Sequence, residues 1–308
     1  ILLSFVFSIV FYSNSFAVAR SWVGIGAGGA GTNFNTAANW SPAAIPGVAD
    51  DLTINMTSSG TILVSASITV NSITMTVSGN GVVGLLAAQT LALTMNATSA
   101  FNSTAGNINT RGILHVGAVP GTIRFNGPVN FNLAGTRLFK FRSSVATPGQ
   151  FLFMDNVTTG ANCLTEPGDE PQFNFNKAGA QSWTFNSTTQ YIVPESIIVG
   201  LGNISQTSFI GAGTGGLLNV YNGGLTVAAG CTLDIGKFAT DKLTGTGTLF
   251  LGANSLLRIG STNDMPDGLF SVYSIDITST VEFYGVGTTI VGVGVDVDVG
   301  VGLGIGVV

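Results

Sequence analysis

The sequence predicts an all-β chain, a right-handed parallel β-helix (β-solenoid) with coils of about 24 residues. Three observations predict it: a composition poor in charge, short strands of period two, and an internal repeat at the length of one coil. Only 8% of the 308 residues are charged, against about 25% in an ordinary soluble domain. Hydrophobic residues still make up 45%, and Gly numbers 43, so a large core can be buried. Thr, Asn and Ser stand where Lys and Glu normally would. Thr favours strands while Asn and Gly favour turns. No stretch after residue 17 carries a helical apolar period.

The repeat is clearest between residues 223–236 (GGLTVAAGCTLDIG) and 247–260 (GTLFLGANSLLRIG). The second copy starts one coil, about 24 residues, after the first. Gly223/Gly247, Leu225/Leu249, Ala229/Ala253, Leu233/Leu257, Ile235/Ile259 and Gly236/Gly260 are identical pairs. Each copy reads strand, turn, strand. Residues 122–125 with 129–133 give a looser version around Gly127-Pro128, and residues 62–77 and 91–95 show the same short alternating strands. A repeat of this length is one solenoid coil, whose strands stack on their counterparts at about 4.8 Å. Residues 50–285 should therefore form roughly ten coils. Leu225, Val227, Leu233, Ile235, Leu249, Leu251, Leu257 and Ile259 should point inward. The competing architecture is a tandem of β-sandwiches. Hairpin dipeptides are rare between matching strands, which does not favour it, although Asn126-Gly127, Asn222-Gly223 and Asp267-Gly268 occur.

The remaining segments break the pattern. Residues 1–12 (ILLSFVFSIVFY) are apolar, too short to span a bilayer and right for a signal-peptide core. Residues 1–19 are read as a leader with a clipped start, cut after Ala17 or Ala19. Residues 20–49 read as an N-terminal cap, with Trp22 and Trp40 covering the first open coil. Residues 50–285 are the β-helix, within which 156–171 looks like a polar excursion. Residues 286–308 are a low-complexity Val/Gly tail, strictly alternating from Val291 to Val307. No later apolar run free of glycine is long enough to cross a bilayer, so no transmembrane helix is expected.

Two clusters resemble a known group. Residues 34–40 (FNTAANW), Ile45-Pro46-Gly47 and Asp50-Asp51-Leu52-Thr53-Ile54 resemble the start of β-helical repeat regions in large secreted, adhesin-like proteins of the Bacteroidetes. Residues 256–268 and 279–285 resemble a second signature of the same proteins. The resemblance covers the two ends of the chain. It implies a secreted or outer-cell-surface protein exported by the type IX route through a C-terminal sorting domain, and no such domain is visible in this sequence.

The chemistry-bearing residues are sparse. The formal charge is −5, with 10 Lys+Arg spread thinly; phosphate neutralisation needs a basic patch, so nucleic acid is not an expected partner. Asp155, Asp234 and Asp276 sit singly in strand-like settings, and Asp234 aligns with Arg258 one coil later as a cross-coil ion pair. Asp50 and Asp51 could bind a cation, but the preferred reading is that one of them hydrogen-bonds turn amides before the strand. Glu166, Asp169 and Glu170 are the candidate metal ligands, for Ca²⁺, because carboxylates on a Pro/Gly loop can converge; no other cofactor is expected. His115, the only histidine, lies in an alternating strand and should face outward instead of serving as a general base. The glycines of residues 24–29 lack the lysine of a phosphate loop. Cys163 and Cys231 are separated by roughly three coils, or about 14 Å along the axis, beyond the reach of a disulfide. Trp183, Phe185 and Tyr191 serve equally as core or as sugar-stacking residues.

The sequence thus points to a non-catalytic structural or adhesive module, with carbohydrate or another surface protein as partner. The first alternative is a polysaccharide lyase or glycoside hydrolase of the β-helix type. A more remote one is an ice-binding solenoid. Thr74/Thr76 and Thr244/Thr246/Thr248 suggest the ranked threonines it needs, but such pairs do not recur at coil spacing.

Overall fold

The computed structural model describes residues 17–85, 91–103, 111–118, 120–133, 138–143, 148–160, 163–165, 170–185, 195–200, 206–210, 219–220, 223–234, 244–245, 247–260, 270 and 272–284. Period-two apolar patterning produces strands throughout. The one helical element among these residues is a 3-10 turn at Ala37–Asn39.

The strands wind into a parallel β-solenoid. A 12-stranded sheet receives one strand per winding: Asp51–Met56, Ser72–Val77, Ser99–Ser103, Val129–Leu133, Val157–Thr159, Gly179–Phe185, Gln206–Ile210, Thr232–Asp234, Leu256–Gly260 and Thr280–Tyr284. Ala19–Trp22 and Trp40–Ser41 complete it at the N-terminal edge. A 9-stranded sheet runs from Ile68–Val70 to Val272–Ile275, and a 5-stranded one from Gly60–Val64 to Cys163–Thr165. Successive strands in these three sheets are parallel. Among the described residues, Ala19–Trp22 with Trp40–Ser41 is the one antiparallel strand pair within them. Coil length is constant in the last windings, where Leu225, Leu249 and Tyr273 align and so do Leu233, Leu257 and Val281. Elsewhere it varies: Gly60 aligns with Gly81 across a short coil, and Gly81 with Gly112 across a long one. The sheets fix the register, and the corners absorb the difference.

Residues 156–171 are not a single excursion. Val157–Thr159 and Cys163–Thr165 are ordinary rungs of the large and the five-stranded sheet. Thr159 and Cys163 are buried at inward positions, which a small hydroxyl and a thiol fill without breaking the column.

The core is one apolar cluster along the axis. Of the inward residues predicted, Leu225, Val227, Leu233, Leu249, Leu251, Leu257 and Ile259 are all buried, and Ile235 lies outside the described residues. Aliphatic and Met side chains fill the early windings, aromatic rings the middle. Phe125, Phe153 and Phe175 align in register and stack at centroid distances of 5.4 and 5.2 Å, and Trp183 continues the stack at 5.2 Å. Repeating one residue type at one register position lets like rings stack, the preferred offset geometry for aromatic pairs. Cys163 and Cys231 are both buried and are not joined in a disulfide.

The N-terminal segment packs against the first winding, where Ala19–Ser21 align with Asp51–Thr53. Trp22, Phe34 and Trp40 pack edge-to-face, with centroids 5.1 Å apart for Trp22–Trp40 and 4.9 Å for Phe34–Trp40. Each indole N–H is satisfied by a carbonyl, Trp22 by Ile25 and Trp40 by Phe34. Phe34 N donates to Leu63 O and Leu63 N to Thr32 O, which pairs the edge of the five-stranded sheet. At the tight corner into the large sheet a single residue, Asn71, separates Val70 from Ser72. Asn96 and Asn126 take the same place in the next windings, and Asn126 Nδ2 donates to Asn96 Oδ1 at 2.8 Å.

Candidate binding face

The outer surface of the large sheet carries two columns of uncharged residues. Register places Thr53, Thr74, Ala100, Asn130, Thr158 and Thr184 in one column, and Asn55, Thr76, Asn102 and Asn132 in the other. Their inward neighbours Ile54, Met75, Phe101 and Phe131 are fully buried, so strand alternation forces these side chains out. All of them are half-buried or exposed, and none is charged. Neighbouring rungs sit about 4.8 Å apart and alternate residues along a strand about 6.7 Å apart, which makes a two-dimensional polar lattice. Asn132 Nδ2 donates to Asn102 Oδ1 at 3.2 Å. An amide has two donors and two acceptor positions, so one such ladder bond per neighbour leaves hydrogen-bonding capacity facing outward.

Sequence spacing hid this array. The first column steps from Thr53 to Thr74, Ala100, Asn130, Thr158 and Thr184, and no two consecutive steps are equal. A search for Thr pairs at constant spacing therefore fails although the register is continuous. Asn standing in for Thr hides it further. Of the Thr-x-Thr candidates, Thr74 and Thr76 belong to the face. Thr248 lies on the nine-stranded sheet and Thr244 in a separate two-stranded pairing. Thr246 is outside the described residues.

Asp50, Asp51, Asp155, Asp234, Asp276 and Glu282 are engaged in structural roles. Asp50 accepts from the Gly47 amide at 2.9 Å, as a turn former should, and also from Val18 N and Arg20 Nε. Asp51 accepts from Asn71 Nδ2 and Ser72 Oγ. Asp155 pairs with Lys177 at 2.5 Å, and Asp276 accepts from Thr278 in its turn. The expected Asp234–Arg258 pair forms at 2.9 Å, and a third member missed in the sequence, Glu282, holds the same guanidinium at 2.7 and 3.3 Å. The missed signal was a second step of the same coil length, from Arg258 to Glu282.

Of the candidate Ca²⁺ ligands, Glu166 and Asp169 lie outside the described residues. Glu170 is half-buried and acts on Glu195, whose carboxyl is raised by burial and then by the Glu170 charge. Glu195 stacks on the preceding winding through its amide, which donates to Pro171 O at 2.9 Å. Among the described residues no three His, Cys, Asp or Glu side chains converge as a metal-binding group. His115 is half-buried on the outer side of the five-stranded sheet, level with Gly84 and Arg142. Trp183 is core, its indole donating to Thr159 Oγ1 at 3.0 Å. The side chain of Phe185 and all of Tyr191 are outside the described residues. No described helix is long and apolar enough to cross a membrane. Comparison with family models, curated proteins and solved structures finds no match.

Proposed function

We propose that this chain is a structural, adhesive module of an exported surface protein, a stiff rod that presents the ranked Thr/Asn face to a neutral, hydroxyl-rich surface. The observation that carries this reading is the uncharged face itself, held in register over a fully buried core. Amides and hydroxyls hydrogen-bond without reacting, and a repeated array adds weak contacts into avidity. The polysaccharide-cleaving alternative needs two carboxylates about 5–9.5 Å apart across a bound sugar. Asp50, Asp155, Asp234 and Glu282 are instead tied to cations.

The test is retention on insoluble neutral glycans, compared with Thr74→Lys/Asn132→Lys and with Thr226→Lys on the nine-stranded sheet. The reading expects retention by the parent and the Thr226 variant, and its loss in the double variant. Cleavage of any glycan, scored by reducing ends and unsaturated products, would favour the enzyme. The lattice also supports a second reading, adsorption to ice, because its hydroxyls and amides repeat in two dimensions on an uncharged surface. Partition of the parent, but not of the double variant, into slowly growing ice would select that reading.

A further inference from the structure

We infer that the Ala17–Val18 bond is a processing site, and that its cleavage turns Val18 N into an ammonium that seats on the buried carboxylate of Asp50. The inference rests on the export part of the proposed function. Val18 N donates to Asp50 Oδ1 at 3.2 Å. Asp50 is 5% exposed, and its other oxygen receives Arg20 Nε at 2.5 Å and Gly47 N at 2.9 Å. The Oδ1 side thus faces a chain position that cleavage makes cationic.

The fold makes use of the chain from Val18 onward. Asp51 N donates to Val18 O at 3.2 Å, and Ala19 aligns with Asp51 at the start of the parallel pair. Ala17 is exposed. Cleavage after Ala19, the other bond preceded by small residues, would discard Val18, both of its hydrogen bonds and the Ala19 pairing. Cleavage after Ala17 keeps all of them, and Ser15 and Ala17 supply the small residues that a signal peptidase requires.

The step is a hydrolysis. Water adds its hydroxyl to the Ala17 carbonyl carbon, the C–N bond breaks, and the leader departs with a carboxylate. The Val18 nitrogen takes up the remaining proton of the water and the one the new carboxyl sheds, and is released as –NH₃⁺. The amide–carboxylate hydrogen bond thereby becomes an ammonium–carboxylate ion pair, with charge on both partners. The charged groups around it are Asp50, Arg20 on the same strand, and Asp51, whose side chain turns away to Asn71 and Ser72. A carboxylate partner raises an α-ammonium above its ordinary value of about 8. A raised group contributes stability that is complete below about pH 8 and lost as the pH rises through the higher folded value.

The chain, given an initiator Met and a short basic segment ahead of Ile1, is expressed in a Gram-negative host, and the N terminus of the product is read by mass spectrometry. Val18 is expected. A product starting at Arg20 or elsewhere overturns the inference and leaves export intact, whereas an uncut chain removes export and the inference together. Chains starting at Val18 and at Ala17 are then melted from pH 6 to pH 10. The Val18 chain should have the higher Tm at pH 6, with the gap closing in alkali and absent in Asp50→Asn. Equal Tm values at pH 6, or a gap that persists in the Asn variant, would overturn it.

Discussion

Burial pushes the Cys163 thiol up to about 12, against only a weak opposing hydrogen bond from the Gly160 amide. At pH 8 it therefore stays a thiol, and thiolate is the reactive form. Cys231 is fully buried as well, so folded protein should leave an aromatic disulfide reagent unconsumed at that pH. After denaturation without reductant, both cysteines should titrate; finding none would mean a disulfide. Glu195 is pushed the same way, by burial first and then by Glu170. A carboxyl raised on folding costs stability once the pH passes its unfolded value of about 4.3. Glu195→Gln should therefore raise Tm at pH 7 and leave it unchanged at pH 3. An unchanged or lower Tm at pH 7 would place Glu195 in a favourable contact instead.

At the scale of the element, each winding is held by its neighbours, and the aromatic stack is one of these couplings. Phe153 lies between Phe125 and Phe175 in consecutive rungs and is 1% exposed. Phe153→Ala should cost about 3–5 kcal/mol, and because windings couple to nearest neighbours, amide exchange should quicken first in the strands Thr122–Phe125 and Gln172–Phe175. Uniform acceleration along the solenoid would argue against nearest-neighbour coupling. The windings with equal corners were the ones legible in sequence: the copies at 223–236 and 247–260 keep a constant spacing, so their inward leucines stand out. Residues 156–171 were misjudged because Thr159 and Cys163 occupy inward positions without looking apolar. The outward polar columns were missed for a related reason. Outward residues are constrained only by register, and corners of variable length erase register from the sequence.

At the scale of the molecule, the polar face exists only because three parallel sheets hold register through windings of unequal length. Thr53 and Thr184 are remote in sequence, yet occupy the first and sixth places of one column. Asn130 and Thr158 hold the fourth and fifth places between them. The most direct test is the set of spin-label distances from Thr53→Cys to Asn130→Cys, Thr158→Cys and Thr184→Cys in turn, in a background of Cys163→Ala and Cys231→Ala. A continuous solenoid predicts spacings that grow by one strand separation per rung, about 14, 19 and 24 Å before allowance for the linkers. Distances that fail to increase in that order, or that cluster at one value as folded-back sheets would give, would contradict it.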